Sequence, residues 1–196
     1  MFNQKNVYMR LNIFPWVPSI LLGILLLLAI WNDVKRRVIP NEIVFLGALI
    51  GLVLHTALPL GSGLFNTPFG SIGILNSITG LCVGLIILLP FYALGVIGAG
   101  DAKLLSMIGA FLGPQAIIKV ALFSFIAGGL LALLVALWKG VLRQVFKNLS
   151  NMLTQIFMHT VLGEGLRIDT PAVSNVKLAY AIAISTGTVF YIYMSH

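Results

Sequence analysis

The apolar segments constrain this chain more than any motif does, because they recur at bilayer-spanning length with almost no charge inside them. Phe14 to Trp31 is the first, and Asn32-Asp33-Val34-Lys35-Arg36-Arg37 follows it at once. A run of that length in lipid must satisfy its backbone hydrogen bonds within itself, which leaves the helix as its conformation. With 59% hydrophobic and 9% charged residues in 196, the chain lacks the polar side chains to cover a water-soluble globule. The predicted class is an all-α, polytopic integral membrane protein, with residues 1–196 forming one membrane-embedded domain and the lipid bilayer as its partner.

Six spans are expected, near 14–31, 43–56, 72–94, 102–112, 115–138 and 178–194. Lys5 and Arg10 precede the first run as they would in a secretory signal, but no small-residue cleavage site follows it. Pro40-Asn41-Glu42 predicts the start of the second helix, with a fixed turn, a capping side chain and an acid in the first turn. An uncharged loop from Leu58 to Gly70 predicts a short excursion on the far side. Pro90 predicts a kink in the third span. Ala102 to Leu112 is short, about 16 Å of helix, before Gly113-Pro114 interrupts it.

Charge decides whether that short segment crosses. If it does, Lys35, Arg36, Arg37, Lys103, Lys139, Arg143, Lys147, Arg167 and Lys177 share one side, against Lys5, Arg10 and Lys119. If it does not, only Lys35, Arg36, Arg37, Lys103 and Lys119 share that side, which runs against the positive-inside tendency. A crossing is therefore expected, with both termini outside the cytoplasm. Val141, Leu142, Val145, Phe146, Leu149, Met152, Leu153, Ile156 and Phe157 recur at helical spacing opposite Arg143, Gln144, Lys147 and Asn148. They predict an amphipathic helix lying on the cytoplasmic membrane surface.

The net charge of +7 reads as topology rather than nucleic-acid binding, since the basic residues sit in short loops without interleaved aromatics. The single cysteine, Cys82, allows neither a disulfide nor a Cys-x-x-Cys zinc site. His55, His159 and His196 are scattered without ligand spacing, so no metal and no cofactor is expected.

Only five acidic residues are present, and two of them end odd-numbered spans. Asp33 follows the first and Asp101 the third, so both fall at the cytoplasmic ends, where distant parts of the chain can meet at one depth. Two adjacent carboxylates in a partly dehydrated site share one proton. One can then deprotonate a water while the other polarises a carbonyl. The competing structural readings make Asp101 the N-cap of a helix over 102–112 and Asp33 a solvated charge at a helix end. Gly95, Gly98 and Gly100 precede Asp101 and let the backbone turn and another segment approach. Their spacing lacks the strand that a dinucleotide fingerprint needs.

Asp33-Val34-Lys35-Arg36-Arg37-Val38-Ile39-Pro40-Asn41 and Gly98-Ala99-Gly100-Asp101-Ala102-Lys103-Leu104-Leu105 resemble the two signature motifs of the type IV prepilin peptidases, membrane aspartic proteases of the GxGD type. Presenilin-type proteases share the second motif alone, so the pair carries the resemblance, over roughly residues 16 to 190. It implies a peptidase of the inner membrane that removes the basic leader of a pilin-like precursor on the cytoplasmic side, typically after a glycine. Asp33 and Asp101 would be the catalytic pair, with Gly98, Gly100, Lys103, Pro40 and Asn41 supporting or binding substrate. With its single cysteine the chain resembles the compact, peptidase-only branch that serves tight-adherence pili, or an archaeal relative, which implies no N-methyltransferase activity. Lys177-Leu178-Ala179-Tyr180-Ala181 departs from relatives that place a Pro before the aromatic. A carboxylate-dependent transporter and a non-enzymatic membrane scaffold are the alternatives. The first would place its carboxylates near the midplane on broken helices, and the second would leave both Asp residues as helix-end charges, with unchanged precursor processing after Asp substitution as its support.

Overall fold

The structure, a computed structural model, describes residues 16–66, 69–140 and 179–195, with 142, 147, 150 and 154. Among the described residues six helices are delimited: α1 Trp16–Arg36, α2 Asn41–Ala57, α3 Ile74–Ala93, α4 Ala99–Leu112, α5 Pro114–Trp138 and α6 Tyr180–Ser195. Among the described residues there is no strand, only one isolated parallel bridge between Leu60 and Ser71. The chain divides into two compact units, Met1–Gly128 with Ala179–His196, and Gly129–Leu178. Every contact described below lies within the first unit; of the second, the end of α5 through Trp138 is helical. The surface helix expected from Val141 to Phe157 lies outside the described residues.

Helix α4 is the axis of the first unit, and small residues put it there. Its 14 residues make about 21 Å of helix, short of a hydrocarbon core of about 30 Å. Nine of those residues are buried, which is the surface of a helix wrapped by protein rather than by lipid. Two neighbours each turn a narrow stripe toward it with the same spacing: Val44, Gly47, Gly51 and His55 on α2, and Ser77, Gly80, Gly84 and Leu88 on α3. On α3 the glycine pair lets the backbones touch, whereas on α2 Gly47 makes room for the Met107 side chain. A Cβ at Gly80 would strike the Gly109 carbonyl, and one at Gly84 would stand 2.7 Å from the Leu105 oxygen. Lipid gives apolar helices little reason to leave it for one another, so close packing of this kind and interhelical hydrogen bonds hold such pairs together. Ser77 Oγ donates to the Ala110 carbonyl at 2.6 Å, and Ser106 Oγ donates to that of Leu81 at 2.8 Å.

The outer faces are apolar. Ile20, Ile24, Leu27 and Trp31 on α1, Phe45, Leu49 and Val53 on α2, and Leu75 and Ile86 on α3 are all exposed. A water-soluble monomer does not carry such a continuous apolar surface, and a bilayer covers it. Val17–Arg36, Ile74–Ala93 and Pro114–Trp138 are long and apolar enough to cross a membrane. The loop after α2 is more than an excursion: Leu64 and Phe65 turn into the core, at 1% and 5% exposure.

Two expectations about helix ends need correction. Helix α1 does not stop at Trp31 but continues through Arg36, so Asp33 lies on the helix rather than after it. Helix α4 begins at Ala99 with Gly98 as its N-cap, so Asp101 is its third residue and not its cap.

Candidate active site

The first motif folds as a helix end followed by a tight reversal. The Arg37 N–H donates to the Asp33 carbonyl at 2.9 Å, and Arg37 itself adopts the left-handed conformation, with φ of 56°. This is a helix stop in which the residue after the cap turns the chain, a place usually given to glycine. Val38-Ile39-Pro40 then crosses to α2, for which Pro40 is the N-cap with φ of −60°. Asp33 is 8% exposed, which removes the reading of it as a solvated charge. Its Oδ2 accepts the backbone N–H of Ala181 at 3.1 Å, from a residue 148 positions away. The carboxylate therefore sits on the first turn of α6, where free N–H groups and the helix dipole favour an anion.

The second motif opens a helix. Gly95, with φ of 70°, makes the turn after α3, and Gly98 is extended, with φ of −79° and ψ of 152°. From the third position of α4 the Asp101 carboxylate reaches back, and its Oδ2 accepts the Gly98 N–H at 3.2 Å. Gly100 is where the two motifs touch. A Cβ there would come within 3.2 Å of Ile39 Cβ, and Ile39 is buried. The missing side chain at Gly100 thus lets the segment after Asp33 lie against the helix that carries Asp101.

Between the motifs is a cavity of about 320 Å³ lined by Asp33, Arg37, Val38, Ile39, Asn41, Gly98, Ala99, Gly100, Asp101 and Lys103. Six of the residues expected at the site meet there: Asp33, Asp101, Gly98, Gly100, Lys103 and Asn41. Pro40 does not line the cavity and acts one residue away, at the start of α2. Asn41 was expected to cap α2, yet no side-chain cap forms there; its Oδ1 instead accepts from Lys103 Nζ at 2.9 Å. Sequence reasoning missed Arg37 as a lining residue, although it stands inside the first motif, and Ala181, which no local signal connects to Asp33. Among the described residues, no three His, Cys, Asp or Glu side chains gather as metal ligands would.

An all-helical membrane protein with two carboxylates in one cavity, at the meeting of two helix ends, is the class that fold and site define. The chain belongs to the type IV leader peptidase family, whose sequence model matches residues 20–133, a stretch holding both motifs. It is similar to the prepilin leader peptidase/N-methyltransferase of Myxococcus xanthus (strain DK1622), at 29% identity over 138 residues, which are 65% of this chain and 38% of that protein. The chain thus spans about two fifths of the length of that curated relative. No solved structure matches.

Proposed function

We propose that this chain is an aspartic endopeptidase that removes the leader of pilin-like precursors at the cytoplasmic face of the inner membrane. The observation that carries the reading is the convergence of Asp33 and Asp101, from separate motifs, on one cavity. In this reading the pair holds one proton. The ionised member takes a proton from a water, and the protonated member polarises the scissile carbonyl. Ala181 orients Asp33, Gly98 orients Asp101, and Gly100 keeps the two segments close. A precursor with a basic leader followed by an apolar helix brings its cleavage point to the membrane face, at the ends of α1 and α4.

The proposed topology has six spans, with α4 a short crossing shielded by α2 and α3, the 141–157 segment on the cytoplasmic surface, and residues 1–196 as one domain. Trp31 and Lys35, the ammonium 5.7 Å from the ring centroid, suit a membrane boundary beside Asp33. Cysteine labelling in a Cys82-free background that finds Gly61 and Ser150 on one side would contradict it. The sequence has one cysteine and no Cys-x-x-Cys pair, so the product is expected without N-methylation. Purified protein incubated with a pilin-like precursor and a methyl donor, read by mass, tests both statements. A product shortened by its leader and free of added methyl is expected. An unprocessed precursor would refute the peptidase reading, and a methylated product the second statement.

A further inference from the structure

Lys103 and Asn41 are 62 residues apart, yet Lys103 Nζ donates to Asn41 Oδ1 at 2.9 Å, and both residues line the cavity of Asp33 and Asp101. An ammonium can only donate, so the end of the carboxamide facing Lys103 must be its oxygen. That leaves the other end, the Nδ2 amide with two N–H donors, without a hydrogen-bond partner among the described residues, on an exposed side chain. The side chain is not occupied by its own helix either, since α2 starts without a side-chain cap. Pro40 before it and the packing of Ile39 on Gly100 hold its backbone at the cavity wall.

Building on the leader-peptidase reading, we propose that Asn41 contacts substrate, donating an amide N–H to the carbonyl oxygen of the scissile peptide, and that Lys103 is the positioning residue that aims it. When the water oxygen bonds to the carbonyl carbon, the π pair moves onto the carbonyl oxygen. The water's proton passes to one carboxylate, and the other carboxyl gives its proton to that oxygen. Asn41 hydrogen-bonds the oxygen while charge builds on it. The C–N bond then breaks, the leaving nitrogen takes a proton from the first carboxyl, and the second carboxylate regains one from a hydroxyl of the intermediate, which restores the pair. A preorganised donor at such an oxygen is commonly worth about 100- to 1,000-fold in kcat.

Asn41→Asp separates this role from a structural one. It keeps the size and the acceptor for Lys103, adds an acid to the first turn of α2 where the dipole favours it, and removes both donors. The proposal expects kcat on a precursor to fall about 100- to 1,000-fold, with little change in KM and with detergent melting at or above the parent's. The new carboxylate also alters the field on Asp33, Asp101, Arg37 and Lys103, so kcat is read across pH. A lowered profile supports the lost donor; a profile displaced along the pH axis that recovers its full height overturns it, as does unchanged turnover. Lys103→Met should lower kcat, Lys103→Arg should retain more, and Asn41→Ala with Lys103→Met should be no slower than Asn41→Ala alone. Additive losses in that pair would overturn the positioning role. If Asp33→Asn is inactive while Asn41→Asp turns over like the parent, this inference falls and the leader-peptidase reading stands; failure of the parent chain to cleave precursor overturns both.

Discussion

The two ends of α4 are built from similar materials and arranged to opposite effect. At its C-terminal end the carbonyls that a helix leaves unsatisfied are taken up by side chains of its neighbours: Ser77 Oγ donates to Ala110, and His55 Nε2 lies 3.0 Å from the Phe111 oxygen. His55 Nδ1 accepts the Ile72 N–H at 3.3 Å, which makes Nε2 the donor, and the Ser71 hydroxyl donates to the His55 carbonyl. His55 is 3% exposed, and both ring nitrogens are occupied. At the N-terminal end, Asp33 and Asp101 each accept one backbone N–H, from Ala181 and Gly98, and with Arg37 and Lys103 they also line a cavity. Burial of polar groups alone therefore does not mark a site. Polar groups satisfied by packed neighbours hold a fold together, whereas ionisable groups gathered around open space are available to a substrate.

If the packed end is purely structural, the largest loss of stability should come from the interface that carries it. Gly80→Leu places a side chain where the Gly109 carbonyl stands. Backbone cannot move aside, so destabilisation should reach or exceed the upper part of the usual range for overpacking, about 1–3 kcal/mol. The check is melting in detergent beside Gly23→Leu, whose added Cβ meets nothing within 4 Å and which should melt like the parent.

A second change sharpens the contrast. His55→Leu strands the Phe111 carbonyl and the Ile72 N–H, at about 1–3 kcal/mol for each buried group left unpaired. Stability should fall while turnover per folded molecule stays near the parent's. Lost turnover at matched folded protein would erase the distinction between the two ends.

The smallest effect is expected at Arg37. A left-handed non-glycine residue carries backbone strain of about 1–2 kcal/mol, part of which glycine returns as chain entropy in the unfolded state. Arg37→Gly should therefore change melting by no more than about 1 kcal/mol in either direction while removing the side chain of a residue that lines the cavity. A large destabilisation would mean that the side chain props up the helix end.

What the sequence made legible divides along the same line. Asp33 and Asp101 could be read because each stands at the end of an apolar run, where a charge is conspicuous, and because their motifs occur as a pair. The glycine stripes of α2 and α3 were not read from the sequence, although Gly47 with Gly51 and Gly80 with Gly84 are small residues four apart in apolar segments, a packing signal. The Lys103–Asn41 tie and the Ala181–Asp33 hydrogen bond were not legible, since no local pattern links residues 62 or 148 positions apart. Helix ends misled for a related reason. Hydropathy fell at Asn32, but the α1 hydrogen-bond ladder continued to Arg36 because the buried Asp33 belongs to the protein interior rather than to water.

The central claim, that Asp33 and Asp101 act together in one cavity, is tested most directly by the turnover of Asp33→Asn, Asp101→Asn and the double variant on a precursor, with detergent melting matched to the parent. Asn preserves size and much of the hydrogen-bonding capacity of Asp but cannot take a proton from water. Each single change should lower turnover on the order of 10⁴-fold or more, and the double variant should be scarcely worse, because groups that act as a unit fail as a unit. Near-parental turnover by either single variant, or losses that multiply in the double, would contradict it.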